Sequence, residues 1–301
     1  MPYLRFGQPE EKDKMSWNQL AHGKSEMLCR YGRAFNARDN AADEGSSDAF
    51  LLKYTYRCTD IFQAGVVLEK DAGESVFRAS NPQGFDYLSG YIFYKGKRWL
   101  KQLLLGDYQL QFGQGLAMGM GFQVSDVSPE GVKKSAYGLK AHTSANESQF
   151  LRGLAATFAV GGHWRATMFL STGSVDASIE NGVCRSLSVS GYHRTLSEIQ
   201  KKHTLKRQMA GTYVDYHGKT LHWGCGAYAL RYGLPLEPEK KPYSLFRFSG
   251  QKLWNVAADF SWNYRKTVLF GEAAVDPGGN VACVGGVLHP AGNRLQFSMQ
   301  F

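Results

Sequence analysis

Six charged residues and one glycine-rich run hold most of the chemical potential of this chain. Glu69, Asp86, Asp107, Arg152, Asp259 and Glu272 stand within or at the ends of segments that alternate polar and apolar residues. Charges placed that way suit a network inside a polar interior, either as braces between strands or as a ring that selects ions. The run Phe112-Gly113-Gln114-Gly115-Leu116-Ala117-Met118-Gly119-Met120-Gly121-Phe122 contains Gly-x-Gly twice, but not the full dinucleotide fingerprint or a βαβ pattern behind it. Gly113, Gly115, Gly119 and Gly121 instead suit a segment that lines or plugs a lumen, where backbone packs closely against a wall. For hydrolysis there is no Gly-x-Ser-x-Gly elbow and no His-Glu-x-x-His. His222 and Ser171 lie in strand patterns, yet nothing in the sequence brings a His, a Ser and an acid together, so a membrane-embedded hydrolase is the minor alternative to a non-enzymatic protein.

The elements that must position these residues are β-strands. Residues 294–301 alternate without exception, and in 253–264 Trp254, Val256, Ala258, Phe260, Trp262 and Tyr264 interleave with Leu253, Asn255, Ala257, Asp259, Ser261 and Asn263. Period two gives each strand one apolar and one polar face. Thirteen strands are expected, at 26–33, 49–57, 61–70, 85–94, 99–107, 150–160, 164–173, 208–216, 220–231, 252–264, 267–276, 280–289 and 294–301. Tight connections at 58–60, 95–98, 161–163, 217–219, 265–266 and 290–293 alternate with long ones at 34–48, 71–84, 108–149, 174–207 and 232–251; 277–279 is short. A soluble sandwich has no reason to sort its loops by length, whereas outer-membrane barrels do. The pattern predicts an all-β, antiparallel, up-and-down transmembrane barrel over 26–301, preceded by a periplasmic or disordered segment, 1–25. An odd strand count predicts that the barrel is incomplete at its carboxyl end, since single-chain bacterial barrels usually close with an even number.

Composition agrees with strands and tight turns: 16 Tyr, 18 Phe and 34 Gly against 9 Pro. No apolar run is long enough for a helical span, and a mean hydropathy of −0.35 is compatible with a barrel whose loops and inner faces are polar. The net charge of +9 fits solvated loops or attraction to phosphate-bearing partners. Cys29, Cys58, Cys184, Cys225 and Cys283 are spread singly, with neither zinc nor disulfide spacing. No signal-peptide core follows Met1, so the barrel reading requires a beginning upstream.

The stretch 108–149 is too long for an ordinary loop and is expected to fold inward as a constriction or to cap the mouth. Its basic residues Lys133, Lys134, Lys140 and His142 read as solvated surface, with contact to anionic sugar-lipid as the alternative. Thr195-Leu196-Ser197-Glu198 has capping-box spacing and predicts a short helix over 196–203, either an ordered loop or a lid. Tyr54, Tyr56, Tyr87, Tyr91, Tyr94, Trp99, Trp164, Trp223, Trp254 and Trp262 are expected as interfacial girdles.

Several stretches resemble one family: Glu69-Lys70-Asp71-Ala72-Gly73-Glu74, Gly84-Phe85-Asp86, Gly106 through Leu116, Phe150-Leu151-Arg152-Gly153 and His193-Arg194-Thr195. It is the group of Bacteroidota outer-membrane β-barrel proteins carrying an N-terminal competence-type helix-hairpin-helix region. The resemblance covers roughly 26–301, and the Gly106–Leu116 run is its most specific part. It implies a cell outer-membrane location, and a helix-hairpin-helix region and signal peptide upstream with more barrel downstream, none of which this sequence contains. A link to DNA uptake would rest on that absent region, and no catalytic residues carry over.

Three functional expectations follow. The first is a channel or transport-associated envelope component. The second is an occluded outer-membrane scaffold that binds protein partners. The third is a component that handles DNA at the envelope. The partners are membrane lipid and lipopolysaccharide, with DNA or an envelope protein besides; no cofactor and no metal are expected.

Overall fold

The computed structural model describes residues 21–33, 42–82, 84–120, 129–239, 241–242, 247–291 and 295–301. The expected segment 1–25 therefore lies largely outside the described residues, as does Gly121.

The strands are β1 (Lys24–Arg33), β2 (Asp48–Cys58), β3 (Phe62–Lys70), β4 (Tyr87–Lys95), β5 (Leu100–Gln111), β6 (Gly138–Ala141), β7 (Leu151–Ala159), β8 (Trp164–Val175), β9 (Ala177–Glu180), β10 (Val183–Leu187), β11 (Leu205–His217), β12 (Leu221–Leu236), β13 (Gly250–Tyr264), β14 (Thr267–Val275), β15 (Val281–Ala291) and β16 (Leu295–Gln300). Thirteen of them, all but β6, β9 and β10, are neighbours in chain order, which makes the wall an up-and-down antiparallel sheet. A strand stands at each of the thirteen places read from sequence. Among the described residues, β1 pairs only with β2 and β16 only with β15.

Short turns gather at one end of the sheet, because Gly and polar residues there supply the tight geometry that hairpins need. At the other end the long connections carry structure of their own. The β9–β10 hairpin and the helix α1 (Leu196–Ile199) both lie between β8 and β11. The capping box forms, with the Glu198 carboxylate accepting from the amide of Thr195 at 3.2 Å. The helix is shorter than 196–203, and the chain leaves it through turns to His203 at φ 51°.

The sheet curls around its own interior. Strand β5 parts from β4 at Gly106, whose φ of 99° and approach to the Gly90 carbonyl (2.2 Å from where a Cβ would sit) admit no side chain. Up to Tyr108 it pairs with β7, and from Tyr108 to Gln111 it pairs with β6 inside the lumen. The interior then fills with Leu110, Phe112, Met118 and Leu139, packed against Leu104, Phe169, Tyr213 and Tyr228 of the wall.

Outward positions obey a different rule. One cross-strand row reads Tyr56, Ala64, Ile92, Leu105, Leu154, Leu170, Ala210, Ala229 and Trp254, each residue directly opposite the next from β2 through β13. No member is charged, and its large side chains Ile92, Leu105, Leu154, Leu170 and Trp254 are 40–60% exposed. Buried polar residues such as Thr55, Ser89, Thr157, Thr167, Asp215, Asp259 and Glu272 sit on the opposite face. The sheet is apolar outside and partly polar within. Tyr87 and Tyr91, expected in a girdle, are a correction: both are 5% exposed and belong to the buried interior, and Tyr91 accepts from Gln63 Nε2 at 2.7 Å.

Candidate functional site in the lumen

The glycine-rich run forms a compact loop inside the wall. The amide of Phe112 donates to the Met118 carbonyl at 3.1 Å, and that of Gly115 donates to the Phe112 carbonyl at 2.9 Å. Gly113 (φ 53°) and Gly115 (φ 75°) are left-handed, which turns successive amides toward one point. That point is Glu272 on β14. Its Oε2 accepts from the amides of Gln114 (2.6 Å) and Leu116 (3.0 Å), and its Oε1 from that of Ala117 (3.0 Å). A buried carboxylate gains three charge-assisted hydrogen bonds, and the loop gains its anchor. Phe112 stacks on Tyr213 with ring centroids 4.1 Å apart. Tyr213 in turn donates to Asp259 Oδ2 at 2.8 Å, and Asp259 lies directly across from Glu272 on β13.

The six charged residues read as one network fall in four places. Asp259 and Glu272 form the anchor just described. Asp107 and Arg152, cross-strand partners on β5 and β7, make a bidentate pair at 2.6 and 2.8 Å. Arg152 also donates to the Leu88 carbonyl and Asp107 accepts from the Gly90 amide, so the pair clamps the point where β5 turns inward. Glu69 meets Arg30 at 3.9 Å near the loop end. Asp86 lies in the outer loops.

Around Asp86 three long connections meet. His193 is 1% exposed; its Nδ1 is 2.5 Å from Asp86 Oδ2 and its Nε2 is 2.7 Å from Asp176 Oδ2. Lys202 Nζ and Asn81 Nδ2 donate to Asp86 Oδ1, and the His193 amide donates to Glu74 Oε1. Burial alone would lower the His193 pKa, but the hydrogen bonds to Asp176 and Asp86 override it and hold it at about 10. Burial would raise that of Asp86, yet His193 and Lys202 hold it down at about 2. Glu147 beside this cluster is pushed up to about 9 by burial and by the charge of Asp86. These side chains bind the outer loops together, and Asp86, Glu147 and Asp176 border a cavity of about 150 Å³.

His142 corrects the expected basic patch. It is fully buried, its Nε2 is 3.0 Å from the Tyr87 hydroxyl, and it stacks on Phe150. Burial lowers its pKa, so it packs as an aromatic ring, not as a surface cation.

On the short-turn side of the plug a second cavity of about 170 Å³ remains, bordered by Gln111, Arg165, Asp215, His217 and His222. This cluster escaped sequence reasoning, although a signal existed. Asp215 and His217 share a strand face by period two, and the turn after His217 places His222 directly opposite it.

No family model matches the chain, and no curated protein matches it. Among solved structures it is similar to an anion-selective porin from Comamonas acidovorans, with TM-score 0.38 and 12% identity over 92% of this chain and 78% of that one. It is also similar to OmpT, an outer membrane protein of Vibrio cholerae in its trimer form, with TM-score 0.33 and 11% identity over 92% of this chain and 87% of that one.

Proposed function

We propose that this chain is an integral outer-membrane β-barrel protein, non-enzymatic, whose lumen is closed by its own glycine-rich segment. The observation that carries the reading is the uncharged outward row from Tyr56 to Trp254. Exposed apolar residues continuous over that many strands cover far more area than an ordinary soluble surface leaves open. Two further rows bound a band. Toward the short turns the outward residues are Trp164, Tyr216, Trp223 and Phe260; toward the long loops they are Thr172, Gln208, Arg231 and Lys252. The step from Trp223 to Arg231 spans about 26 Å along the strand at about 3.3 Å per residue. With strands tilted about 40° the band is about 20 Å tall, close to the roughly 25 Å of outer-membrane barrels.

Closure of the lumen favours an occluded scaffold or a gated transporter over an open channel. In planar bilayers the folded chain is expected to insert and to carry no steady current; a constant open-channel current overturns the closed-lumen reading. A detergent-free soluble monomer that retains its β-structure overturns the membrane reading.

The link to DNA uptake, and to the helix-hairpin-helix family, is a finer reading supported by the residues of the Gly106–Leu116 run and by the charge of +9. Salt-sensitive DNA binding by this segment would support it. Binding with no salt dependence, or none at all, removes this segment from that role.

A further inference from the structure

We propose that Asp215, His217 and His222 form a binding site for a divalent transition-metal ion on the short-turn side of the lumen. Ligand atoms of the three lie within 4.8 Å of one another, and all three side chains face inward from the β11–β12 hairpin. His217 and His222 are cross-strand partners with ring centroids 4.4 Å apart. Asp215 precedes His217 by two residues on the same face, and its Oδ2 lies 3.7 Å from His222 Nε2 and in contact with His217 Nε2. Two imidazoles and one carboxylate suit a borderline ion such as Zn²⁺ and leave a coordination position for water. A tetrahedral ion with bonds of about 2.0–2.1 Å holds its ligands about 3.3 Å apart, so small side-chain rotations on a rigid hairpin close the site.

A separate feature indicates that the cavity takes a polar occupant. Gln111 is 0% exposed and borders this same space, yet neither its Nε2 nor its Oε1 has a hydrogen-bond partner among the described residues. A buried amide is costly to leave without partners, and a bound, hydrated ion in that cavity would supply them. The second cluster with metal-ligand chemistry, Glu74, Asp86 and His193, differs in this respect. Both nitrogens of His193 are already committed to carboxylates, and Lys202 occupies Asp86.

Arg165 is the competitor. Its Nε and Nη2 donate to Asp215 Oδ2 at 3.2 and 2.8 Å, its Nη2 also contacts His217 Nε2, and its side chain is 46% exposed. An arriving ion must displace this cation, so removing Arg165 strengthens metal binding, whereas removing a ligand weakens it. A purely structural salt-bridge cluster would show neither effect.

The test is titration of the full chain, folded in detergent micelles and stripped with chelator, using Zn²⁺ by calorimetry and Co²⁺ by visible absorption. The expected result is one saturable site per chain. His217→Ala, His222→Ala and Asp215→Asn should each weaken it by more than about tenfold, since even residues behind a metal's own ligands are worth about 10- to 100-fold. Arg165→Ala should tighten it, and Ca²⁺, which wants oxygen ligands, should not compete. Native sheet content by circular dichroism qualifies each variant, and His217→Gln replaces one that does not fold. No saturable Zn²⁺ binding, or binding that survives loss of either histidine, overturns the proposal. Because micelles suffice, either result leaves the bilayer tests of the barrel reading untouched.

Discussion

Glu272 Oε2 lies 2.6 Å from the backbone nitrogen of Gln114, joining residues 158 apart in sequence. The contact ties the lumenal segment to the far wall. Asp259 stands cross-strand from Glu272, and like charges opposite one another repel. The two carboxylates coexist because they draw on different donors, three backbone amides for Glu272 and the Tyr213 hydroxyl for Asp259.

Glu272→Ala should release the plug. It strands the amides of Gln114, Leu116 and Ala117 without their acceptor, at about 1–3 kcal/mol for each group left unsatisfied. Hydrogen exchange at those three amides should accelerate by more than about tenfold, which corresponds to about 1.4 kcal/mol. Current steps should also appear in planar bilayers where the parent chain shows none. Unchanged exchange would mean that packing of Phe112 alone holds the segment.

Gly113→Ala should act on the same contact by sterics. At φ 53° an alanine costs about 1–2 kcal/mol in the backbone, and its Cβ would lie 2.7 Å from Glu272 Oε2 and 2.8 Å from Asp259 Cβ. Neither neighbour is the free end of a surface chain. The plug amides should exchange faster, while the outer wall strands keep their protection; equal protection throughout counts against the tight docking described.

The outer-loop cluster should loosen in alkali. The His193 pKa is raised to about 10, so its stabilisation is complete below the unfolded value near 6.5 and is lost as pH rises through 10. Glu147, raised to about 9, adds to the loss, because its unfolded carboxyl ionises near 4.3 while the folded one resists until pH 9. Asp86, lowered to about 2, is stabilising above its unfolded value near 3.9 and loses that only as pH falls through 2. Thermal melts should therefore drop in midpoint from pH 5 to pH 10, and His193→Gln should flatten part of that slope. A slope unchanged in His193→Gln removes the imidazole from the account.

Legibility in the sequence followed the reach of period two. The thirteen wall strands were readable because lipid-side and lumen-side residues alternate, and tight turns pin register: 265–266 alone places Asp259 opposite Glu272. Strands β6, β9 and β10 were not, being too short and too local to show a period. The Asp107–Arg152 pair depends on closure of a long excursion, which no local pattern fixes. The anchor of Glu272 was invisible for another reason. Its partners are backbone amides, which carry no residue identity, and only the glycines that aim them leave a trace. His193 was hidden in turn because its two carboxylates come from distant connections.

The outward face makes a depth-dependent prediction that only a membrane protein can satisfy. Ala227 sits midway between the aromatic row at Trp223 and the basic row at Arg231, opposite Thr212 and Val256. Ala227→Arg should cost about 2–4 kcal/mol for folding into a bilayer, and Gln208→Arg, in the row of Arg231, about 0–1 kcal/mol. A soluble protein would hydrate both arginines and show almost no difference. Cysteine chemistry gives an independent reading of the same surface. Cys225 and Cys283 are exposed and share one outward row through Ala258 and Ala273. In vesicles a membrane-impermeant maleimide should leave both unmodified, because lipid covers them, while the denatured chain reacts fully. Rapid labelling in intact vesicles, or equal cost for the two arginines, would take the apolar band out of the membrane.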